Sequence, residues 1–428
     1  MKKIILVLLI LNSSLSFIFA QKIPEISKVK VASLYERVID GIGIFIGRSV
    51  DDVVNLLKET KTDFIFRGWW RWSPCPENCS ELPPEYIPIC ERSGYSYQNL
   101  QNAIKKIKNE IPQIIFCGAI PAQIIQKESV WNPLTHEIIR YPETWEMALD
   151  PAKWGIDVSK EEFQCWFGKT HFWVDPDMDC QDYDPEKAAA YFPDITNKRF
   201  QELLLSWAKK QIDCGVDAIW IDMLAKQTSM LYYLTKDFEH PAVKESYFAI
   251  HKIVNKIHEY GKKKRRYIYV GSWATVVKYF FMEKEFPNNL PKLDFVTISP
   301  SSKEVREMKL DEEKWDEYIK LIREKLGNIP VFAFIDWAST TKTPLGVFSQ
   351  NLISEQQKEF LKIADQFFLD KGVIFIYPIH GGWMGNDAEI LSFGVSKVYD
   401  SLAPEFQTYE TIKELALRKK AKRIIRRR

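Results

Sequence analysis

The stretch 190–223, AYFPDITNKRFQELLLSWAKKQIDCGVDAIWIDM, decides the fold. A short apolar segment ends at Asp194, and Thr196 or Asn197 can cap the helix that follows. Gly215 is typical of the residue that ends such a helix. Between the cap and this glycine, apolar side chains recur every three or four residues, as on one face of a helix: Phe200, Leu203, Leu204, Trp207, Ala208 and Ile212.

An apolar run with β-branched residues follows at 216–221 and predicts a strand buried on both faces. Asp222 comes directly after this run. A carboxylate at the C-terminal end of a buried parallel strand lies where barrel enzymes place their catalytic groups. We therefore expect Asp222 to be functional, and the alternative is an aspartate that caps a helix in an ordinary loop.

Seven further apolar runs alternate with helical stretches, at 41–47, 63–67, 114–117, 267–270, 293–298, 331–335 and 373–377. Strands that alternate with helices form a parallel sheet, and eight such units over 428 residues predict an α/β fold, the closed (β/α)8 TIM barrel with long loop insertions at its C-terminal face. A doubly wound open sheet is the alternative. It would carry a glycine-rich phosphate turn after its first strand, whereas GIGIFIG lies within the predicted strand itself.

The chain divides into a signal peptide (1–20), a lead-in (21–40), a barrel (41–400) with an insertion at 119–190, and a basic tail (401–428). Its 46% apolar and 27% charged residues are typical of a globular protein with a sizeable core. Lys2 and Lys3 before an apolar core, with cleavage after Ala20, predict export, and an uncleaved anchor is the alternative. We expect a secreted or cell-surface protein.

Seven cysteines fit this compartment, because disulfides persist outside the cytoplasm. We expect one bridge among Cys75, Cys79 and Cys90 and a second between Cys165 and Cys180. The remaining two, Cys117 and Cys214, lie in apolar surroundings and are expected to be buried thiols.

Aromatic and polar residues cluster just after the predicted strands. Indole faces stack on the apolar faces of sugar rings, while carboxylate, guanidinium and imidazole groups bind hydroxyls, so the pattern predicts a carbohydrate site at the barrel rim. The alternative is that large aromatic side chains only plug the barrel mouth. The candidate substrate-binding residues are Arg67, Trp69, Trp70, Asp194, Trp273, Trp337, His380 and Trp383.

Glycoside hydrolysis needs two carboxyl groups across the scissile bond. Asp222 and Asp336 follow the fourth and seventh predicted strands, which lie roughly opposite each other in a closed barrel. Glu128 and Asp194 are the other candidates for an acid. Arg67 is placed to keep a carboxylate ionised.

The stretch 190–223 also resembles a segment of the barrel glycosidases of the α-galactosidase and α-amylase kind. In those enzymes a Gly-(Val/Ile/Phe)-Asp turn precedes a strand that ends in the nucleophile. The resemblance implies that Asp222 is the nucleophile, Asp217 the structural aspartate of the turn and Asp194 a rim residue. The sequence departs from the family after the fifth strand, where Ser272 and Trp273 stand in place of an acid.

Together these features predict an exported glycosidase that acts on an oligo- or polysaccharide, with Asp222 as nucleophile in a retaining reaction. The alternative is a catalytically inactive barrel that binds glycans or serves as a cell-surface interaction protein. A metal hydrolase is disfavoured because the six histidines are scattered. We expect no cofactor and no metal: DPDMDCQDYD at 175–184 spaces carboxylates like a calcium loop but lacks its sixth-position glycine.

The C-terminal residues 418–428 carry eight positive side chains. Outside a cell such a segment meets anionic lipid or acidic wall polymer, so it predicts a surface tether, whereas nucleic acid is not an expected partner. A solvated end with no specific role is the alternative.

Overall fold

The computed structural model describes residues 24–39, 47–70, 76–94, 96–132, 137–140, 142–171, 173–275, 290–336, 342–384, 388 and 398–425. Within these ranges, only the backbone is described at residues 89, 92, 93, 128–132, 137–140, 142, 383 and 422–425. Its centre is a closed barrel of eight parallel strands, which confirms the predicted fold. The strands pair in chain order and β8 pairs with β1 to close the ring. They are β1 Ala32–Tyr35, β2 Phe64–Trp70, β3 Ile115–Pro121, β4 Ala218–Asp222, β5 Tyr269–Trp273, β6 Phe295–Ile298, β7 Val331–Ala333 and β8 Ile374–Trp383.

Helices connect and surround these strands. The described helices are α1 Val50–Glu59, α2 Ile87–Ser93, α3 Tyr97–Glu110, α4 Lys160–Thr170, α5 Lys198–Cys214, α6 Lys226–Thr235, α7 Pro241–Lys263, α8 Ser302–Arg306, α9 Glu312–Leu326, α10 Ser354–Asp370 and α11 Tyr409–Ile425. A short helical turn, Pro344–Gly346, continues into the π-helical turn Val347–Asn351. Within the described residues, no helix combines the length and apolarity needed to span a bilayer.

Two apolar layers follow from the alternation of side chains along each strand. In β2, Phe64 and Phe66 belong to the cluster inside the barrel, whereas Ile65 belongs to the cluster between the strands and the helices. The inner cluster is dominated by aromatic rings, such as Phe64 and Phe332 with ring centres 4.8 Å apart. The barrel interior is therefore a packed core and leaves the strand ends as the place for a site.

The segment before β4 forms as its sequence predicts. The side chain of Asn197 accepts hydrogen bonds from the first turn of α5, so Asn197 rather than Thr196 is the cap. Gly215 ends α5 with a φ of +108°, a conformation that favours glycine. The carboxylate of Asp217 then accepts the Phe116 amide (3.0 Å), which fixes β4 beside β3.

Seven of the eight predicted strands are confirmed, but the first was wrong. The run at 41–47 lies almost wholly outside the described residues, and Ala32–Tyr35, inside the predicted lead-in, takes the place between β8 and β2. This strand is only four residues long and contains the polar Ser33, whose hydroxyl lies 2.7 Å from that of Thr62. A short strand with a buried hydroxyl gives a weaker apolar signal than the run that follows it.

The insertion after β3 is ordered by local contacts. A disulfide between Cys165 and Cys180 joins α4 to the acidic loop at 175–184, as predicted. A second disulfide joins Cys79 to Cys90. The other two described cysteines, Cys117 and Cys214, are buried free thiols, as expected, and Cys75 lies outside the described residues.

The C-terminal segment is not a free tail over its described length. It forms α11, which packs against α10 and β8 and supplies the last helix of the barrel. Within it Lys419 is buried and its ammonium lies 2.7 Å from the carboxylate of Asp365 on α10. Lys420 bonds to Asp63 just before β2. Lys419 and Lys420 therefore have partners within the protein, while the surface tether predicted for 418–428 stays a prediction.

Candidate active site

The C-terminal ends of the barrel strands bring together charged groups from distant parts of the chain. Arg67 lies within β2 with a φ of +57°, and the pairing of β2 with β3 changes register between Ile65 and Trp69. A left-handed non-glycine residue costs free energy and is kept where the surroundings require it. The positive φ of Arg67 and the register change in β2 therefore determine the direction of the strand at the residue whose side chain lies in the site.

The guanidinium of Arg67 is fully buried. It lies over the ring of Trp70, 3.8 Å from its centre, and its Nη2 donates to Glu36 (3.3 Å). Burial lowers the pKa of Arg67 to about 10, and the charges of Glu36, Asp222 and Asp336 oppose this shift. Arg67 therefore remains a cation at neutral pH. Its charge interacts with the carboxylates of Glu36, Asp222 and Asp336, which come from the C-terminal ends of β1, β4 and β7.

Glu36 is the functional candidate that the sequence analysis missed. It follows β1 directly, is 6% exposed, and accepts the Gly382 amide of β8 (2.7 Å). Burial alone would raise the pKa of Glu36, but the charges of Arg67 and Arg37 and the hydrogen bond from Gly382 bring it below its usual value. Gly381 has a φ of +124°, and a side chain there would collide with Glu36. A correct placement of β1 would have shown Glu36 as a carboxylate at a strand end.

Asp222 ends β4 and is only 3% exposed. Its two oxygens are held by separate donors, the indole N–H of Trp273 (2.7 Å) and the side-chain amide of Gln123 (2.8 Å). Burial raises the pKa of Asp222 to about 6, although Arg67 and these hydrogen bonds oppose the shift. The result is a carboxylate of fixed orientation that is mostly ionised at neutral pH.

Asp336 follows β7 and is half-buried. Its amide donates to the hydroxyl of Ser299 after β6 (3.2 Å), and its carbonyl accepts the Leu345 amide (2.8 Å). These bonds fix its backbone at the barrel mouth, and its charge acts on Arg67 together with that of Asp222.

His380 lies in β8, beside the end of β1. Its Nδ1 is 2.8 Å from the fully buried carboxylate of Asp400, which Arg48 also binds through both Nη atoms (2.9 and 3.2 Å). Burial alone would raise the pKa of Asp400, but His380 and Arg48 bring it below its usual value. The charge of His380 also lowers the pKa of Glu36, so this network adjoins the carboxylates around Arg67.

The tryptophans of the predicted site divide between two places. Trp70 and Trp273 belong to the inner cluster together with Trp220, and their rings line the floor beneath the charged groups. Trp69 instead belongs to the outer cluster, with its ring centre 6.2 Å from that of Tyr97 on α3. The structure therefore places Trp69 away from the inner tryptophans.

Four predicted site residues remain: Asp194, whose carboxylate has other partners, and three residues whose side chains lie outside the described part of the chain. The carboxylate of Asp194 is occupied by Thr196, Gln227 and Lys153, which makes it a local organiser of the segment before α5. Trp337 lies outside the described residues, as do the side chains of Glu128 and Trp383.

No group of three His, Cys, Asp or Glu side chains within the described residues is arranged to hold a metal ion. In the acidic loop at 175–184, the carboxylates of Asp175, Asp179 and Asp184 each accept a backbone amide two residues ahead (2.9–3.0 Å). These local turns account for the spacing that resembles a calcium loop.

No family model matches the sequence, and no curated protein matches it. Among solved structures, the glycoside hydrolase domain of PelA from Pseudomonas aeruginosa matches with a TM-score of 0.40 and 8% identity, over 82% of this chain and 94% of that one. An Anoxybacillus α-amylase matches with a TM-score of 0.48 and 10% identity, over 91% and 78% of the two chains. The α-amylase of Geobacillus thermoleovorans gives 0.44 and 11%, over 91% and 78%. At these values, a function has to be argued from the site itself.

Proposed function

We propose that the chain is a glycoside hydrolase acting on an oligo- or polysaccharide, with Asp222 as nucleophile and Asp336 as proton donor in a retaining reaction. One observation carries this proposal: the charges of Glu36, Asp222 and Asp336, which come from the C-terminal ends of β1, β4 and β7, all act on the buried cation Arg67, whose guanidinium lies over the ring of Trp70. Two carboxyl groups and an apolar face are what hydrolysis of a sugar chain requires.

The contacts of Asp222 suit it to nucleophilic attack. The donors on its two oxygens hold the carboxylate in one orientation, so little reorganisation is needed when an oxygen bonds to the anomeric carbon. Asp336, with its half-buried side chain, donates a proton to the leaving oxygen and then accepts one from the water that releases the sugar. Glu36 stays out of the chemistry and holds Arg67 in place.

The test is a panel of aryl glycosides and polysaccharides offered to the purified chain and to two variants. We expect Asp222→Asn to lose at least about a thousandfold in turnover, because a covalent nucleophile contributes more than that. We expect Asp336→Asn to lose less on aryl glycosides with good leaving groups, which need little protonation. Asp194→Asn is the matched control, since its carboxylate serves the local turn.

Product stereochemistry decides the mechanism. Retention of the anomeric configuration, observed by NMR, supports Asp222 as a nucleophile, and inversion contradicts it. Full turnover by Asp222→Asn would refute the assignment. Binding of glycans without hydrolysis of any would instead make the chain a binding protein.

We also propose that the chain is exported. The Cys79–Cys90 and Cys165–Cys180 disulfides support this, because such bonds persist in oxidising compartments. Fractionation of the producing cell, with thiol labelling before and after reduction, tests it. Four protected thiols in the extracellular fraction are expected, and free thiols in a cytoplasmic fraction would contradict export.

The proposed contact with anionic membranes or cell-surface polymers is limited to residues 422–428. Lys419 and Lys420 are used inside the protein, so deletion from 418 would remove buried contacts as well. Deletion of 422–428 should release the protein from anionic vesicles at low salt without changing hydrolysis of a soluble glycoside. Unchanged vesicle binding would refute the contact.

A further inference from the structure

Asn78, Cys79 and Ser80 form an Asn-X-Ser sequence, the acceptor pattern for N-linked glycosylation of exported proteins. Elsewhere in the chain only Asn12, inside the predicted signal peptide, stands in the same pattern. A chain that loses residues 1–20 therefore carries the pattern once. The pattern by itself is common, so the acceptor has to be judged from its surroundings in the folded protein.

The structure exposes the two residues that the modification needs. Asn78 and Ser80 are exposed, whereas Cys79 between them is buried and bonded to Cys90. Asn78 is also the N-cap of the short helical turn Cys79–Glu81. The acceptor side chain and the hydroxyl are thus open to solvent, while the residue between them anchors the turn to the protein.

The hydrogen bonds of Asn78 are compatible with an attached sugar. Its Oδ1 accepts the amide of Ser80 (3.1 Å) and the hydroxyl of the same residue. Its Nδ2 donates to the carboxylate of Glu81 (3.1 Å). N-linked attachment replaces one of the two hydrogens on Nδ2 and leaves Oδ1 unchanged, so one N–H and both acceptor interactions remain available. The folded chain therefore needs to lose none of these bonds when the sugar is added.

The backbone on the N-terminal side of the acceptor is held against two helices. The carbonyl of Glu77 accepts the amide of Gln98 in the first turn of α3 (2.8 Å). The carboxylate of Glu77 pairs with Lys210 on α5 (2.5 Å). A sugar on Asn78 would therefore extend into solvent from a fixed point beside α3 and α5, which surround the barrel.

We propose that Asn78 is a site of N-linked glycosylation. The donor is an oligosaccharide joined through phosphate to a polyisoprenyl lipid. The bond between its first sugar carbon and the phosphate oxygen breaks, a carbon–nitrogen bond forms to Nδ2, the displaced amide proton passes to a base of the transferase, and the lipid phosphate leaves. This inference rests on the proposed export, because the pattern is an acceptor in secreted proteins.

The experiment expresses the full-length chain in a eukaryotic secretory host and analyses the secreted fraction by mass spectrometry. After reduction and alkylation, trypsin cleaves at Arg71 and Arg92, so the peptide 72–92 contains Asn78 and both cysteines of the Cys79–Cys90 bridge. We expect this peptide to carry a glycan. Treatment with a peptide N-glycosidase should remove the glycan and convert the modified asparagine to aspartate.

Four variants test which atoms are required. Ser80→Ala and Asn78→Gln should each abolish the modification, whereas Ser80→Thr keeps the hydroxyl and should preserve it. Asn102→Gln is the matched control, because Asn102 is exposed on the neighbouring helix α3 and has isoleucine two residues later in place of serine or threonine. It should leave the modification of 72–92 unchanged. Circular dichroism confirms that each variant is folded.

The outcomes separate this inference from the proposed export. A secreted chain whose peptide 72–92 is unmodified would overturn the inference and leave export in place, as would a glycan on that peptide that persists in Asn78→Gln. A chain that stays in the cytosolic fraction with free thiols would contradict export and the inference together. Hydrolysis of glycosides is unaffected by either result, since Asn78 is outside the proposed catalytic group.

Discussion

Replacement of Asp222 by asparagine should make the protein more stable at neutral pH and, under the proposed function, should abolish hydrolysis. Burial raises the pKa of this carboxyl from its usual 3.8 to about 6. One pKa unit corresponds to about 1.4 kcal/mol, so the ionised carboxylate costs the folded state about 3 kcal/mol at pH 7. Asparagine has nearly the same shape and carries no charge.

The direction of the pH dependence of stability follows from proton binding. Between pH 3.8 and about 6 the folded chain holds the proton on Asp222 more often than the unfolded chain does. The contribution of this group to the free energy of unfolding is therefore largest at low pH and is lost as pH rises through 6. The variant lacks that dependence, so its stability relative to wild type should increase by about 2 kcal/mol from pH 4 to pH 7.

The local contacts permit this substitution. The side-chain oxygen of the introduced asparagine can still accept the indole N–H of Trp273. The side-chain oxygen of Gln123 is buried and has no hydrogen-bond partner among the described residues. Rotation of that amide turns the oxygen toward the side-chain amide introduced at position 222. The variant can therefore keep one hydrogen bond with Trp273 and one with Gln123.

Urea unfolding followed by tryptophan fluorescence at pH 4, 5, 6 and 7 measures the difference in the free energy of unfolding. In thermal unfolding at neutral pH, the same difference should appear as a rise of about 3–4 °C in melting temperature. Asp217→Asn is the control, for which we expect a lower free energy of unfolding and not a higher one. Its carboxylate pairs with Lys108 (2.7 Å) and Arg266 (3.1 Å) at the other end of the same strand. Its removal should cost on the order of 2 kcal/mol at pH 7.

A difference between Asp222→Asn and wild type that stays flat from pH 4 to 7 would refute the reasoning, as would a variant less stable than wild type at pH 7. Activity provides an independent check. Because the proposed nucleophile Asp222 must be ionised, kcat/KM of the wild type should fall as pH drops below about 6.

Three further substitutions test other parts of the structure. Glu36→Gln removes the anion bonded to the buried Arg67 and should lower the free energy of unfolding by about 3 kcal/mol in urea titrations, whereas Glu36→Asp should lose less. Asp365→Asn leaves the buried Lys419 without its partner, so α11 should exchange its amide hydrogens faster while β4 is unaffected. Cys165→Ser opens the disulfide to Cys180 and should cost about 3 kcal/mol, the value expected for a loop of this length; an unchanged melting temperature under non-reducing conditions would contradict the bridge.

The sequence by itself determined the features that depend on neighbouring residues. Apolar runs that alternate with amphipathic helices predict the barrel, because each unit must bury its own apolar face. Gly215 and the run before Asp222 locate β4 and its terminal carboxylate, since a helix end and a buried strand are local patterns. The Cys165–Cys180 pairing was accessible for the same reason, because the two residues are close in the chain.

Tertiary structure decided which charges meet. Glu36 and Gly382 are 346 residues apart and are joined only because β8 closes on β1, a contact that no local pattern specifies. The same closure makes α11 a barrel helix and buries Lys419 in it, although the sequence there resembles a free basic tail. Long-range electrostatics depend on distances through space, and those exist only once the ring is closed.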